Sequence, residues 1–162
     1  MLDTLHSVPI FKELDVRHIE LLRTQFESFS CPAETIVFEQ GEPAVYLYII
    51  LNGTVVIRYK PYDGTSMTLT RLHEGDAFGW SAVIGNPAYT TTLMSKTKLD
   101  AIRVKGADLR YLCTKYPDTG EIILDRLAQL VSRRWKDAHL QVRKLLAGRG
   151  RSNPKDVTRI KV

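Results

Sequence analysis

Cysteine is scarce in this chain, and the cysteines that occur form no recognisable motif. Cys31 and Cys113 lie in different predicted elements, and neither belongs to a CxxC pair or stands at metal-ligand spacing from a histidine. The sequence therefore predicts neither a disulfide framework nor a zinc site. We expect both side chains to be buried free thiols.

Long apolar runs are also lacking. The longest, about Val45 to Leu51, is far shorter than the roughly 20 residues that a transmembrane helix needs. The N-terminus has neither a basic start nor a hydrophobic stretch, so no secretory signal peptide is predicted. We therefore expect a cytoplasmic protein that does not associate with membranes.

Catalytic and metal-binding motifs are absent from the sequence. The four histidines each stand alone, and the cluster His73-Glu74-Gly75-Asp76 falls in a predicted turn. No Ser-His-Asp arrangement, P-loop or HExxH pattern occurs. A metal-dependent enzyme would need several histidines and carboxylates that converge on one ion. We expect no catalytic residue, no metal site and no cofactor.

Net positive charge is confined to one end of the chain. Residues 121–162 hold eleven Lys or Arg and four carboxylates, a net charge of +7, whereas residues 1–120 carry a net charge of −2. A basic end of this kind is usually a solvated helix face with a flexible tail. The other possibility is loose, sequence-independent contact with nucleic acid phosphates.

The middle of the chain alternates apolar and polar residues with a period of two, which predicts strands. Turn signals separate the strands, among them Asn52-Gly53 and Asp63-Gly64. Seven or eight short strands at this spacing indicate a barrel or sandwich. The predicted strands are Ser28 to Cys31, Thr35 to Glu39, Tyr46 to Leu51, Thr54 to Lys60, Ser66 to Leu72, Thr90 to Ser95 and Leu99 to Val104.

Helical periods flank these strands. Residues 2–26 predict two helical pieces separated near Pro9, with Asp15 as an N-cap, and a further helix follows Val104 up to Pro117. A long helix is predicted from about residue 118 to 147. Its narrow apolar stripe fits a partner helix, so we expect a homodimer, although a helix folded back on its own domain stays possible. The predicted dimer seam comprises Leu124, Leu127, Val131, Trp135, Ala138, Val142 and Leu145.

The stretch from Gly75 to Thr92 interrupts the strand pattern. It predicts a strand, a one-turn helix, a loop and a new strand. A helix N-terminus offers backbone N–H groups that suit an anion. The other interpretation is a corner of the sheet, where Gly79 only permits a tight bend. Both interpretations stay open on the residues alone.

The order of Gly41-Glu42, Tyr46, Ile49, Gly53, Gly75-Asp76 and Phe78-Gly79 resembles the cyclic nucleotide-binding domain. The resemblance covers about residues 5 to 145. It implies a mainly β fold, a jelly-roll-like β-roll with N-terminal helices and a long C-terminal helix. We expect this domain to span residues 1–147, followed by a basic, flexible tail at 148–162. The tail is too short for the helix-turn-helix that follows this domain in catabolite activator-like regulators.

The resemblance also marks a departure. In the family, the phosphate-binding cassette reads approximately Phe-Gly-Glu-Leu-Ala-Leu and is followed by an arginine. The glutamate binds the ribose 2′-OH, and the arginine pairs with the cyclic phosphate. Here FGWSA places Trp80 at the glutamate position, and Tyr89, or Ala88 with a one-residue shift, at the arginine position. No Arg or Lys occurs between Arg71 and Lys96.

We therefore expect a non-enzymatic regulatory or sensor module whose pocket binds cyclic nucleotide weakly or not at all. Trp80 and Tyr89 either form an aromatic floor for a flat ligand or fill the pocket themselves, or Trp80 is simply a core residue. The alternatives are a true cyclic AMP or GMP domain that uses backbone and threonine contacts, and a dimerisation module with nonspecific nucleic-acid affinity. The candidate ligand-binding residues are Phe78, Gly79, Trp80, Ser81, Ala82, Val83, Tyr89, Thr90 and Thr91.

Overall fold

A computed structural model describes residues 11–129 of the chain. Eight strands in this part form two four-stranded antiparallel sheets that face each other. The first sheet has the order β1 (Glu27–Cys31), β8 (Leu99–Lys105), β3 (Tyr46–Asn52) and β6 (Ala77–Phe78). The second has the order β2 (Ile36–Phe38), β7 (Thr92–Ser95), β4 (Val55–Tyr59) and β5 (Met67–Leu72).

Strand β3 shows how the sequence positions the two cores of the domain. Successive side chains of a strand point to opposite faces of the sheet. Leu47 and Ile49 lie in a core shared with the helices, whereas Tyr48 and Ile50 lie in the core between the two sheets. A strand buried on both faces reads as a continuous apolar run, which explains the longest apolar run in the sequence.

Four helices accompany the sheets within residues 11–129. Helix α1 (Val16–Arg23) is capped by Asp15, whose side chain accepts a hydrogen bond from the Arg17 backbone N–H at 3.3 Å. Helix α2 (Ser81–Ile84) forms one turn, and α3 (Gly106–Lys115) follows β8. Helix α4 begins at residue 117 and is described to residue 129. Residue 117 is Pro117. Proline suits the first position of a helix because its missing N–H would have no intrahelical partner there.

The helices α1, α3 and α4 pack together over the outer face of the first sheet. Ile19, Leu109 and Leu127 lie in this helical core. Beneath them, the buried His18 side chain contacts Thr119 through Nδ1 and Oγ1 at 2.5 Å. The Arg126 guanidinium donates a hydrogen bond to the Lys12 carbonyl. The first turns of α4 are therefore fixed to the N-terminal part of the domain.

The fold class is confirmed. All seven predicted strands occur, although β7 begins two residues later than predicted because the backbone of Tyr89 pairs with the turn at Gly41 and Glu42. The two cysteines are free, as expected, but each is only half-buried. Among residues 11–129, no helix has the length and apolar character needed to cross a bilayer.

The predicted dimer seam needs one correction. Leu127 is fully buried in the helical core of its own domain, and Leu124 packs against that core. This part of the helix therefore follows the second interpretation, a helix folded back on its own domain. The remaining seam residues lie outside the described residues: Val131, Trp135, Ala138, Val142 and Leu145.

Candidate functional site

The stretch from Gly75 to Thr92 forms β6, α2, a loop and the start of β7, as the sequence predicts. The chain turns sharply between β6 and α2 at Gly79, where φ is +87°. A Cβ atom at this position would lie 2.6 Å from the Tyr46 carbonyl oxygen. Gly79 is thus required both by its backbone conformation and by its close approach to β3.

Helix α2 uses part of its own N-terminal donor set. The sequence predicts that the backbone N–H groups of residues 80–83 could donate hydrogen bonds to an anion. The Ala82 N–H instead donates to the Gly79 carbonyl at 3.1 Å, and the Val83 N–H donates to the Trp80 carbonyl at 2.9 Å. The helix is a single turn closed by short-range bonds, so these two groups are not available to a ligand.

The other end of α2 is joined to α3. A Cβ atom at Gly106 would lie 1.9 Å from the Ala82 carbonyl oxygen, so the two backbones are in direct contact. The Arg110 guanidinium donates to the Ala82 carbonyl at 2.6 Å and to the Val83 carbonyl at 3.2 Å. These carbonyls belong to the last turn of α2, which has no intrahelical partners for them. Arg110 therefore acts as a side-chain cap that ties α2 to α3.

Tyr89 lies inside the β-roll, in the core between the two sheets. Its side chain is 6% exposed, and its ring stacks on Phe38 with a centroid distance of 3.5 Å and an interplanar angle of 10°. The hydroxyl donates to the Tyr46 carbonyl at 2.7 Å and accepts from the Tyr46 N–H at 2.9 Å. Burial raises the pKa of this hydroxyl to about 12. Tyr89 is therefore a fully partnered, neutral core residue.

The backbone on either side of Tyr89 is also fixed. Its N–H donates to the Glu42 carbonyl at 2.9 Å, and its carbonyl accepts from the Gly41 N–H at 2.9 Å. Ala88 forms an isolated antiparallel bridge with Pro43. The loop after α2 is thus paired with the turn between β2 and β3, which holds the Tyr89 ring in the interior.

Further aromatic rings complete the packing around Tyr89. Tyr48 stacks on Phe78 at a centroid distance of 4.8 Å, and Phe38 lies 6.0 Å from each of these two rings. At the edge of this group, the Arg103 guanidinium lies 4.0 Å from the centroid of the Tyr46 ring and is paired with Glu27 at 2.8 Å. The interior of the roll is therefore an aromatic core.

Trp80 does not share this core. It is half-buried and packs against the helical core, together with Val83. Phe78 and Tyr89 belong to the core between the sheets. The prediction that Trp80 and Tyr89 could form one aromatic floor is therefore wrong, because their side chains pack in different cores. The interpretation of Trp80 as a core residue agrees best with its position.

The remaining candidate residues offer few accessible polar groups. Ser81 and Thr91 are each 3% exposed, Thr90 is half-buried, and Ala82 is buried. Within residues 11–129, no group of three or more histidine, cysteine or carboxylate side chains is placed to hold a metal ion. The two hydroxyls predicted to bind a ligand oxygen at positions 81 and 91 are thus covered by protein.

Sequence reasoning missed three residues that shape this site. Phe38 and Tyr46 hold the ring and the hydroxyl of Tyr89, and Arg110 caps α2. Strand β2 is apolar at all three positions, so the sequence does not show that Phe38 points inward while Ile36 is exposed. No local signal connects Arg110 with α2, because the two lie 28 positions apart in the chain.

The comparisons with known proteins agree with this architecture. The model of the cyclic nucleotide-binding domain matches residues 28–116. The chain is 29% identical over 124 residues to the CRP-like cAMP-activated global transcriptional regulator of Mycobacterium tuberculosis. The matched segment covers 76% of this chain and 55% of that protein. The chain thus spans about half the length of that regulator.

Two solved structures show the same fold. A cyclic nucleotide-binding domain from Methylobacillus flagellatus has a TM-score of 0.73 at 20% identity, over 87% of this chain and 79% of that chain. A regulatory subunit of a cAMP-independent protein kinase A from Trypanosoma brucei, a triple mutant bound to cAMP, has a TM-score of 0.65 at 21% identity. It covers 79% of this chain and 44% of that chain. This chain belongs to the cyclic nucleotide-binding domain family.

Proposed function

We propose that this protein is a non-enzymatic regulatory module of its family in which Tyr89 fills the place of the ligand. The observation that carries the proposal is the position of Tyr89. The family resemblance aligns the phosphate-binding arginine with Tyr89, or with Ala88 after a one-residue shift. The ring and hydroxyl of Tyr89 are both fully partnered inside the protein. A cyclic nucleotide would have to displace this ring before it could enter.

The missing charges weaken nucleotide binding further. A buried charge-assisted pair that loses one partner typically costs about 2 to 5 kcal/mol, which is roughly 30-fold to several thousand-fold in affinity. Both charged positions of the family cassette are occupied here by uncharged residues, Trp80 at the glutamate position and Tyr89 or Ala88 at the arginine position. We therefore expect millimolar or weaker binding of cyclic AMP and cyclic GMP.

A substituted trypanosomal subunit with bound cAMP suggests an experiment for this chain. It is described as cAMP-independent, and its variant with three substitutions was solved with cAMP in the A site. The matching experiment here is the double variant Trp80→Glu, Tyr89→Arg, titrated calorimetrically with cyclic AMP. We expect it to bind at least about tenfold more tightly than the unmodified protein, because the arginine restores a pair with the phosphate.

The control variant is Tyr111→Arg, which makes the same tyrosine-to-arginine change at a side chain that is 65% exposed. It should bind cyclic AMP as weakly as the unmodified protein. Equal affinities of the double variant and the unmodified protein, with both folded by NMR, would contradict the proposal.

A second candidate function is true cyclic AMP binding. It is favoured by the 29% identity with a regulator described as cAMP-activated. In that case the nucleotide would rely on backbone groups of the cassette and on Thr90. Micromolar binding of cyclic AMP to the unmodified protein would support this candidate over the first.

We further infer a cytoplasmic homodimer held by the long helix that the sequence predicts from about residue 118 to 147. The support is the spacing of Val131, Trp135, Ala138, Val142 and Leu145, which continues a narrow stripe. The double variant Val131→Asp, Trp135→Asp should be a monomer in sedimentation, whereas Ser132→Asp, beside the stripe, should stay dimeric. A dimer that persists in the double variant would rule out this seam.

Any binding of nucleic acid by the basic end, residues 121–162, should be weak and lost at high salt.

A further inference from the structure

A cavity formed by described residues lies away from the roll interior, between α1 and the junction of α3 with α4. It has a volume of about 600 Å³. One wall comes from α1, and the other comes from the last residue of α3 and the first residues of α4. We call it the junction cleft. The residues that matter for its chemistry are Arg17, Glu20, Leu21, Lys115, Tyr116 and Asp118.

Charges of both signs surround the junction cleft. Arg17 and Glu20 lie on the α1 wall, and Lys115 and Asp118 lie on the junction wall. Within residues 11–129, none of these four side chains forms an ion pair at an N···O distance of 4.0 Å or less. Each wall thus presents one cation and one anion whose charges are not matched by a described neighbour.

The space between these charges is apolar. Leu21 and Pro117 line the cleft, together with Tyr116, which is 39% exposed. The Lys115 ammonium lies 5.6 Å from the centroid of the Tyr116 ring, so this ring is already placed beside a positive charge. Apolar surface between charged groups suits a ligand with a short hydrocarbon part and two polar ends.

We propose that the junction cleft binds a small zwitterion, an α-amino acid with an apolar side chain. Its carboxylate would pair with Arg17 or Lys115, and its ammonium group would pair with Glu20 or Asp118. The side chain would lie on Leu21 and Tyr116. A ligand with a single charge is a poorer match, because it would meet a like charge on each wall of the cleft.

Such a ligand would act on the start of α4. Thr119 lines the cleft and is also the partner of the buried His18. A molecule that contacts both walls stabilises the arrangement in which α1 and α4 are joined, since it binds that arrangement and not one in which the walls are apart. The junction cleft is therefore a regulatory site that is independent of the roll interior.

The test is a titration of the full chain with a panel of the common L-amino acids, followed by backbone amide NMR. We expect saturable shifts, confined to α1 and residues 115–119, for L-leucine or another apolar member of the panel. Isovalerate and isoamylamine, which each carry half of the leucine charge pair, should bind more weakly than leucine.

Variants locate the site. The double variant Glu20→Gln, Lys115→Gln removes one charge of each sign and should weaken binding about tenfold. Its control is Glu39→Gln, Lys60→Gln, the same pair of changes at a second cleft in the roll, which should leave the affinity unchanged. The proposal is overturned if no amino acid gives saturable shifts. It is also overturned if the two double variants bind equally, or if the half-ligands bind as well as leucine.

Discussion

The roll interior and the junction cleft differ in how their space is used. In the interior, Tyr89 stacks on Phe38 and both hydrogen-bonding roles of its hydroxyl are satisfied by Tyr46. In the junction cleft, about 600 Å³ remains open, and charges of both signs stand without described ion-pair partners. The roll interior around Tyr89 is packed with aromatic side chains, and the open polar space lies beside the helices.

This difference indicates that the fold has been retained while the chemistry of the cassette has changed. Two close backbone approaches position α2, namely the turn at Gly79 and the contact of Gly106 with the Ala82 carbonyl. The function of a site follows from its side chains and not from the fold that carries them.

The largest effect is expected where the two regions are connected, at Gly106. Gly106→Ala would place a Cβ atom 1.9 Å from the Ala82 carbonyl oxygen, so α2 and α3 would have to separate. We expect a loss of about 4 kcal/mol in the free energy of unfolding, or no folded protein. The measurement is urea denaturation.

Gly41→Ala is the control for this substitution. Gly41 has a positive φ, +95°, which Gly106 does not have, and a Cβ atom at Gly41 would have no neighbour within 4 Å. We expect a loss of about 1 kcal/mol from backbone strain alone. If the two alanine variants are equally stable, α2 and α3 are not in the close contact described.

The next largest effect tests the filled interior. Tyr89→Ala removes a buried ring and leaves a cavity against Phe38. The expected loss is about 3 kcal/mol in the free energy of unfolding, typical of an aromatic residue truncated in a core. The exposed Tyr62 provides the matched control, since Tyr62→Ala should change stability by less than about 0.5 kcal/mol. A stability of Tyr89→Ala equal to that of the control would mean that the interior is not packed.

Alkaline pH should destabilise the protein through Tyr89. Because the folded-state pKa is raised from 10.0 to about 12, the folded protein retains the hydroxyl proton at pH values where the unfolded chain loses it. The Tyr89 hydroxyl therefore contributes its full share of the free energy of unfolding below pH 10.0, the pKa of the unfolded chain. This contribution is lost as the pH rises from 10.0 towards 12. The loss from this group should reach about 2.7 kcal/mol.

The measurement for this effect is the free energy of unfolding as a function of pH, compared with Tyr89→Phe. The variant should lack this part of the alkaline loss. Tyr62→Phe, which changes an exposed tyrosine, should keep it. Identical pH profiles for Tyr89→Phe and the unmodified protein would contradict the buried position of the hydroxyl.

The smallest effect on the free energy of unfolding is expected beside the junction cleft, where His18 of α1 contacts Thr119 of α4. Thr119→Val removes the hydroxyl that contacts His18 and leaves a buried ring nitrogen without its partner. We expect a loss of about 1 to 2 kcal/mol in the free energy of unfolding by denaturant titration. Thr114→Val, at an exposed threonine of α3, should change it by less than about 0.5 kcal/mol. Equal stabilities of the two valine variants would show that His18 and Thr119 do not join α1 to α4.

The strands and their turns could be predicted from the sequence because the information is local. The apolar run from Tyr46 to Leu51 and the turn signal Asn52-Gly53 lie within a few residues of the elements that they specify. The N-cap Asp15 is local in the same sense, and the side chain accepts the expected bond. The resemblance then identified Gly75 to Thr92 as the cassette.

The arrangement of the site could not be predicted, because it depends on contacts between distant residues. Tyr89 meets Tyr46 across 43 positions, and His18 meets Thr119 across 101. Periodicity also left open which surface the apolar stripe of α4 would cover. In the structure, Leu127 packs in the core of its own domain. For the same reason, Trp80 and Tyr89 appeared to be neighbours in sequence reasoning but pack in different cores.

The most direct test of the central claim, that Tyr89 occupies the interior in place of a ligand, is a calorimetric titration of the unmodified protein with cyclic AMP. We expect no saturable heat at submillimolar nucleotide, because the interior is filled and the charges that bind the phosphate and the ribose are missing. A micromolar dissociation constant would contradict the account.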